Sequence, residues 1–357
     1  MQRDRRAFLK RAMGAAGASL AVQLLAACAP TSTGPSSALP AAQPPGSPGH
    51  SAAPLVAQGL STVSLGFASL NPSNLVPIVG SERPDLPARF GIGFDLVTTT
   101  NSPNALTALV GGSLDAAVVT PDAAWAAQDK VPELKQLFAV GNGTPYVLIA
   151  QPDIHTAADL RGLTLGASAI RGGADTTALR LLLFENGLQD EEYTLVPAGT
   201  VAERTAAMKA RAIQAVVQLE PQATLLRDAG FPQIDAANRY PSLRNVHFIV
   251  LVARRSWYEG KPEVAVNLVR AWRAVTSWIY DPANTDEVLA VIKKTMSVSD
   301  VPARNTYALH IGQHVVTQDL RINETFMQQF IANQKKLGAN GGNLPLGSDA
   351  LRRFQAA

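Results

Sequence analysis

Short polar turns that follow apolar, β-branched runs hold the side chains best suited to chemistry in this 357-residue chain. Four stand out: Ser69 with Asn71 and Asn74; Thr100, Asn101 and Ser102; Thr120 with Asp122; and Ser168 through Gly173. Each leads into a helical stretch. Free N–H groups and the positive end of a helix dipole favour carboxylate, sulfonate or nitrate there, by roughly 0.3–1 kcal/mol per helix and up to ~2 when partly buried. Arg171, ahead of Gly172-Gly173, either offers a planar fork to such an anion or faces solvent. Glu220 suits a ligand amine, a pairing with Arg171, or the first turn of the helix that starts at Pro221. Asn101 and Ser102 read first as helix caps, a role compatible with ligand contact. Phe67, Trp125 and Tyr146 are ring-stacking surfaces or core.

Catalytic and metal patterns are thin. His310 and His314 are four apart, yet no glutamate lies between them and no third ligand stands out, so no metal is expected. No nucleophile elbow, Walker loop or dinucleotide glycine pattern occurs, so neither a cofactor nor an enzymatic reaction is expected.

The N-terminus bears on location. Arg5-Arg6-Ala7-Phe8-Leu9-Lys10 resembles the twin-arginine export motif, and Leu25-Ala26-Ala27-Cys28 resembles the bacterial lipobox. The apolar stretch Met13 to Ala27 falls short of the roughly 20 residues a membrane span needs. Residues 1–27 therefore read as a cleaved export signal and Cys28 as the lipidated first residue of the mature chain. Residues 28–60 read as a tether, with Pro30, Pro35, Pro40, Pro44, Pro45, Pro48 and Pro54 among Ser, Ala and Gly and no Asp, Glu, Lys or Arg; such a segment cannot offset its ordering entropy by burial. An extracytoplasmic, membrane-anchored protein is expected. Five basic residues (Arg3, Arg5, Arg6, Lys10, Arg11) and one acid (Asp4) fall within the signal, which leaves 26 basic against 27 acidic residues beyond it. That balance gives no reason to expect a nucleic-acid partner. The only cysteine is Cys28, so no disulfide within the chain can form.

From Thr62 strands and helices alternate, which argues for α/β layers with largely parallel sheets. Strands are expected at Val63–Phe67, Gly93–Thr98, Leu114–Val119, Tyr146–Ala150, Thr164–Gly166, Tyr193–Val196, Ile213–Val217 and Val246–Ala253. Helices are expected at Asn104–Gly111, Asp175–Asn186, Ala202–Ala210, Pro221–Ala229, Pro262–Tyr280, Thr285–Thr295 and Asn323–Leu337. Ala108–Val118 echoes Ala207–Val217: each is a small-residue helix turning sharply into a buried strand. Chance or two similar lobes would account for it.

Several of these features occur together in a known order. Gly112-Ser113-Leu114-Asp115, Asp159-Leu160-Arg161-Gly162, the loop Ser168 to Thr177, Asn186-Gly187-Leu188, Glu220-Pro221 and Pro262-Glu263 with Leu268 and Ala271 follow one another. In that order and spacing, from residue 62 to about 295, the chain resembles type II periplasmic solute-binding proteins of ABC importers. The nearest branch is the nitrate, sulfonate, taurine and thiamine-precursor group. Gln214 departs from it, standing where an acid is usual, with no glycine before it. The resemblance implies a two-lobed periplasmic-binding-protein type II fold, with lobe 1 at 61–150 plus 246–357 and lobe 2 at 151–245. Crossing segments would lie near Tyr146–Ala150 and Val246–Ala253, and the C-terminal helices would pack on lobe 1. It also implies a solute held between the lobes and delivered to a permease and ATPase; ligand type does not carry over past the Gln214 departure, and a small, anionic solute is expected from the helix-opening turns, with the protein a monomer. A ligand sensor, or a synthase related to thiamine-pyrimidine enzymes, are the other roles the fold allows.

Overall fold

The structure, a computed structural model, describes residues 59–338 except Ser69, Thr100, Arg171 and Gly172. The export segment, Cys28 and nearly all of the tether lie outside the described residues. Ten strands are present among those described: β1 (Ser61–Phe67), β2 (Ile92–Thr98), β3 (Ala116–Val119), β4 (Leu134–Asn142), β5 (Val147–Ala150), β6 (Thr164–Ala167), β7 (Thr194–Pro197), β8 (Ala215–Gln218), β9 (Gln233–Ala236) and β10 (His247–Arg254). They form two mixed sheets, β2-β1-β3-β10-β4 and β7-β6-β8-β5-β9. In each, two parallel ladders meet two antiparallel ones. The fold is the expected two-lobed α/β arrangement.

Helices cover the sheets. Around the first sheet lie α1 (Leu75–Glu82), α2 (Asp85–Ala88), α3 (Ser102–Val110) and α4 (Pro121–Gln128). The second carries α5 (Ala174–Glu185), α6 (Val201–Lys209), α7 (Gln222–Asp228) and α8 (Pro241–Arg244). After β10 come α9 (Arg255–Gly260), α10 (Pro262–Tyr280), α11 (Thr285–Met296), α12 (Asp300–Tyr307) and α13 (Glu324–Lys336). Pro262 opens α10, where a missing N–H costs nothing. Its Leu268, Trp272, Val275 and Ile279 recur at helical spacing and are fully buried, as a core-facing stripe requires. Trp272 meets Phe138 of β4 edge-on, with ring centroids 5.3 Å apart. Helices α10 and α11 pack on α1 of the first lobe. No described helix is long and apolar enough to cross a membrane.

Two crossing segments differ from expectation. Val147–Ala150 is an interior strand of the second sheet, paired with β8 and β9; the chain leaves the first sheet before it, at Gly143–Tyr146. β10 belongs wholly to the first sheet, between β3 and β4, so the return lies upstream of His247.

The internal echo falls on equivalent elements. The turn from α3 into β3 matches the turn from α6 into β8. Asp115 Oδ2 accepts the Ser64 N–H at 3.0 Å, and Gln214 Oε1 accepts the Thr164 N–H at 3.2 Å. Gln214 thus takes the acid's place because the partner is one backbone N–H, which an amide oxygen satisfies as well. Arg211 (φ 55°) adopts the left-handed conformation that Gly112 (φ 83°) holds in the first lobe. Gly66 and Gly166 are also equivalent: a Cβ there would lie 2.2 Å from Leu114 Cδ1 and 2.4 Å from Ile213 Cδ1.

Candidate functional site

In the first lobe the polar turns stand at the carboxyl ends of β1, β2 and β3, where open α/β sheets take ligands. Asn71 caps a short 3-10 turn by accepting the Ser73 N–H at 2.9 Å. Asn101 caps α3 by accepting the Asn104 N–H at 2.8 Å. Ser102 Oγ accepts the Thr120 N–H at 3.4 Å and so joins the second turn to the third. Thr120 and Asp122 begin α4 and are partly exposed. Ser69 and Thr100 lie outside the described residues.

The second lobe's turns are knitted together from within. Asp175 Oδ1 accepts the Ser168 hydroxyl at 2.6 Å and Oδ2 accepts the Ser168 N–H at 2.7 Å. Behind it Arg204, buried in α6, pairs with Asp175 at 3.3 Å and donates to Gly199 O at 2.7 Å. Burial and the Asp175 charge push the Tyr146 phenol well above its usual range, with Arg204 acting in the opposite sense. Glu220 is committed too. Its Oε2 accepts the Thr224 N–H at 3.0 Å and the Thr224 hydroxyl at 2.7 Å, while Oε1 pairs with Arg227. The carboxylate therefore serves its own helix α7 from just ahead of the N-cap Pro221. Arg171 and Gly172 lie outside the described residues.

Between the lobes is a narrow pocket with a cavity volume of about 40 Å³, partly open to solvent. Thr120 and Asp122 form one wall, and α5 faces them through Ala174, Thr177, Ala178 and Leu181. Thr144 and Val246, from the two crossings, and His247 and Phe248, at the start of β10, form the floor. Helix α13 supplies a fourth side through Phe330, Asn333 and Gln334. Tyr146 meets Phe248 edge-on at 5.8 Å, and Trp125 packs on Val246 and Phe330 from behind. Phe67 is core. Of the expected site residues, Thr120 and Asp122 line this pocket; Asn71, Asn101, Ser102, Ser168 and Glu220 do not.

The α13 wall is the contribution that sequence reasoning missed. A signal was present. Met327, Phe330, Gln334 and Leu337 follow helical spacing, so Gln334 interrupts an apolar stripe. The helix is fastened at both ends. Asn323 donates its N–H to His247 Nε2 at 2.7 Å, so the ring proton is on Nδ1, 2.7 Å from Asn142 Oδ1. At the far end Asn333 donates to Ser242 O at 2.7 Å and Lys336 reaches Glu185 of α5 at 3.0 Å. Burial lowers the His247 pKa to about 4, so the imidazole is neutral at pH 7. His310 and His314 do not form a ligand pair: His310 is buried against Thr306 O, and His314 stacks on Tyr280. Among the described residues no group of three metal-ligating side chains converges.

The model of the NMT1-like family matches residues 57–293, about two thirds of the chain. The chain belongs to the NMT1-like family. A sequence comparison with curated proteins returns no match. Solved structures similar in fold to this NMT1-like chain include the periplasmic aliphatic sulphonate binding protein SsuA from Escherichia coli, at 15% identity and TM-score 0.63, covering 84% of this chain and 100% of that one. The ligand binding component of an ABC-type import system from Staphylococcus aureus gives 16% identity and TM-score 0.69, over 83% and 98%. The periplasmic nitrate-binding protein NrtA from Synechocystis PCC 6803 gives 16% and 0.59, over 84% and 86%. These likenesses establish the periplasmic-binding-protein fold. The family match ends before α12 and α13 begin.

Proposed function

We propose that this NMT1-like protein captures a small solute between its two lobes, outside the cytoplasm, and delivers it to the permease and ATPase of an ABC importer. The observation that carries the reading is the pocket itself, which draws Thr120 and Asp122 from one lobe and Thr177 and Leu181 from the other. A solute that touches both lobes favours the closed form over the open one. Moving that equilibrium from 1:99 to 99:1 takes about 5.5 kcal/mol of differential affinity, and micromolar binding corresponds to about −8 kcal/mol. In this reading residues 1–27 direct export, Cys28 carries lipid, and residues 28–60 hold the two-lobed body off the membrane as a monomer. Thr120 and Asp122, which line the pocket, contact the solute.

A thermal-shift screen of the full-length chain tests this. The panel holds nitrate, sulfonates, taurine, aromatic acids, pyrimidines and amino acids. A true solute adds about 2.7 kcal/mol of apparent stability at a hundredfold excess over Kd. No response from any compound, in well-folded protein, would count against solute capture.

A further inference from the structure

We propose that α13 is a latch between the lobes: the first lobe carries it, its last turns clasp α5 and α8 of the second, and release of that clasp opens the pocket to solute. The proposal rests on the solute-capture reading and adds how access to the site is controlled.

The first observation is the pocket's size. A cavity of about 40 Å³ holds about three water molecules, at roughly 10–15 Å³ each, and not an amino acid or an aromatic ring. Its walls must part before a solute of that size is seated. Helix α13 is one of those walls, through Phe330, Asn333 and Gln334.

The second observation is that the two ends of α13 belong to different lobes. Its first half sits on the first lobe. Asn323 donates to His247 Nε2 of β10, the His247 and Phe326 rings lie 5.5 Å apart, and Phe330 packs with Trp125 of α4. Its last turns reach the second lobe. Asn333 donates to Ser242 O of α8 at 2.7 Å, and Lys336 meets Glu185 of α5 at 3.0 Å. Lys336 also lies 5.0 Å from the centre of the Phe184 ring, and Leu337 O accepts from Arg180 at 3.3 Å.

The two attachments differ in strength. His247 is buried, whereas Lys336 and Glu185 are both partly exposed, and an ion pair that water reaches holds weakly. When the lobes part, the clasp on α5 therefore yields first and α13 stays with the first lobe, anchored at His247.

Iodoacetamide labelling of a single buried thiol tests the latch without any solute. Cys28 is the only native cysteine, so the full-length chain carrying Cys28→Ser offers a clean background. Ala178→Cys places a thiol on the α5 wall of the pocket, at a position 1% exposed. Ala271→Cys, in a separate chain, places one in the α10 core, which only unfolding exposes. Lys336→Glu sets two carboxylates against each other and should speed labelling at position 178 roughly threefold or more, with position 271 unchanged. Adding Glu185→Lys restores opposite charges and should return the rate towards that of the parent. Lys294→Met, which breaks an exposed ion pair with Glu82 within the first lobe, should leave both positions as they were. An unchanged rate at 178 with Lys336→Glu, an equal rise at 178 and 271, or a rise that Glu185→Lys does not reverse overturns the latch and leaves solute capture standing. A folded chain silent throughout the thermal-shift screen refutes capture, and with it the latch's role in admitting solute.

Discussion

The two lobes share a strand order and a turn chemistry, yet they hold their polar turns in opposite ways. In the first lobe Thr120-Pro121-Asp122 ends β3 with its side chains partly exposed and set against the pocket. The equivalent Leu219-Glu220-Pro221 of the second lobe spends its carboxylate on Thr224 and Arg227. A buried Asp175–Arg204 pair further stiffens the second lobe beneath the Ser168 turn. The contrast teaches that a repeated scaffold does not repeat its function: one lobe presents free groups, and the other supplies a rigid, mostly aliphatic face along α5.

The sharpest way to break this comparison is to remove Arg204. Arg204→Met leaves Asp175 buried without its partner and should cost about 3–5 kcal/mol in urea unfolding. A loss below about 1 kcal/mol would mean that the pair does not stiffen the second lobe.

Acid should act through the other lobe. Both buried histidines, His247 and His310, belong to the first lobe and its C-terminal helices, and burial lowers each pKa to about 4. The unfolded chain takes up these protons near pH 6.5, so the folded state is fully favoured above that value and loses stability as pH falls towards 4. Between pH 7 and pH 5 each histidine should account for about 2 kcal/mol. His247→Gln should flatten its share of the slope; an unchanged profile would refute the assignment.

Smaller effects sharpen the equivalence of the lobes. Gly166→Ala should cost about 1–3 kcal/mol through overpacking. Gly66→Ala should cost less, because the new Cβ at 166 would also meet Ala198 Cβ at 3.1 Å. Equal losses would argue that Ala198 yields freely. Smallest of all, Gln214→Ala should remove about 0.5–1.5 kcal/mol and Asp115→Ala somewhat more, since a charged acceptor makes the stronger bond. Gln214→Glu should be tolerated if the two positions do the same work.

Much of this plan is legible in the sequence because period-2 and helical patterns report burial directly. Val63, Leu65 and Phe67 announced β1, and the Leu268–Ile279 stripe announced α10. β4 and α12 escaped notice. Leu134–Asn142 carries Lys135, Gln136 and Asn142 within an otherwise apolar run, and Asp300–Tyr307 is mostly polar and opens with a proline in its first turn. Thr120 and Asp122 could be picked out because a turn at a parallel strand's end is a local feature. Gln334 could not be placed there by local reasoning, since only the tertiary course of α13, fastened at His247 and again at Glu185, brings it to the pocket. Glu220 was misleading for the converse reason: its partners, Thr224 and Arg227, lie on the next helical turns, where an acid ahead of a helix often finds them.

Small-angle X-ray scattering of the full-length chain, with and without a saturating binder, tests the central claim most directly. Capture between two hinged lobes predicts a smaller radius of gyration in the bound sample. An identical scattering curve at full occupancy would contradict it.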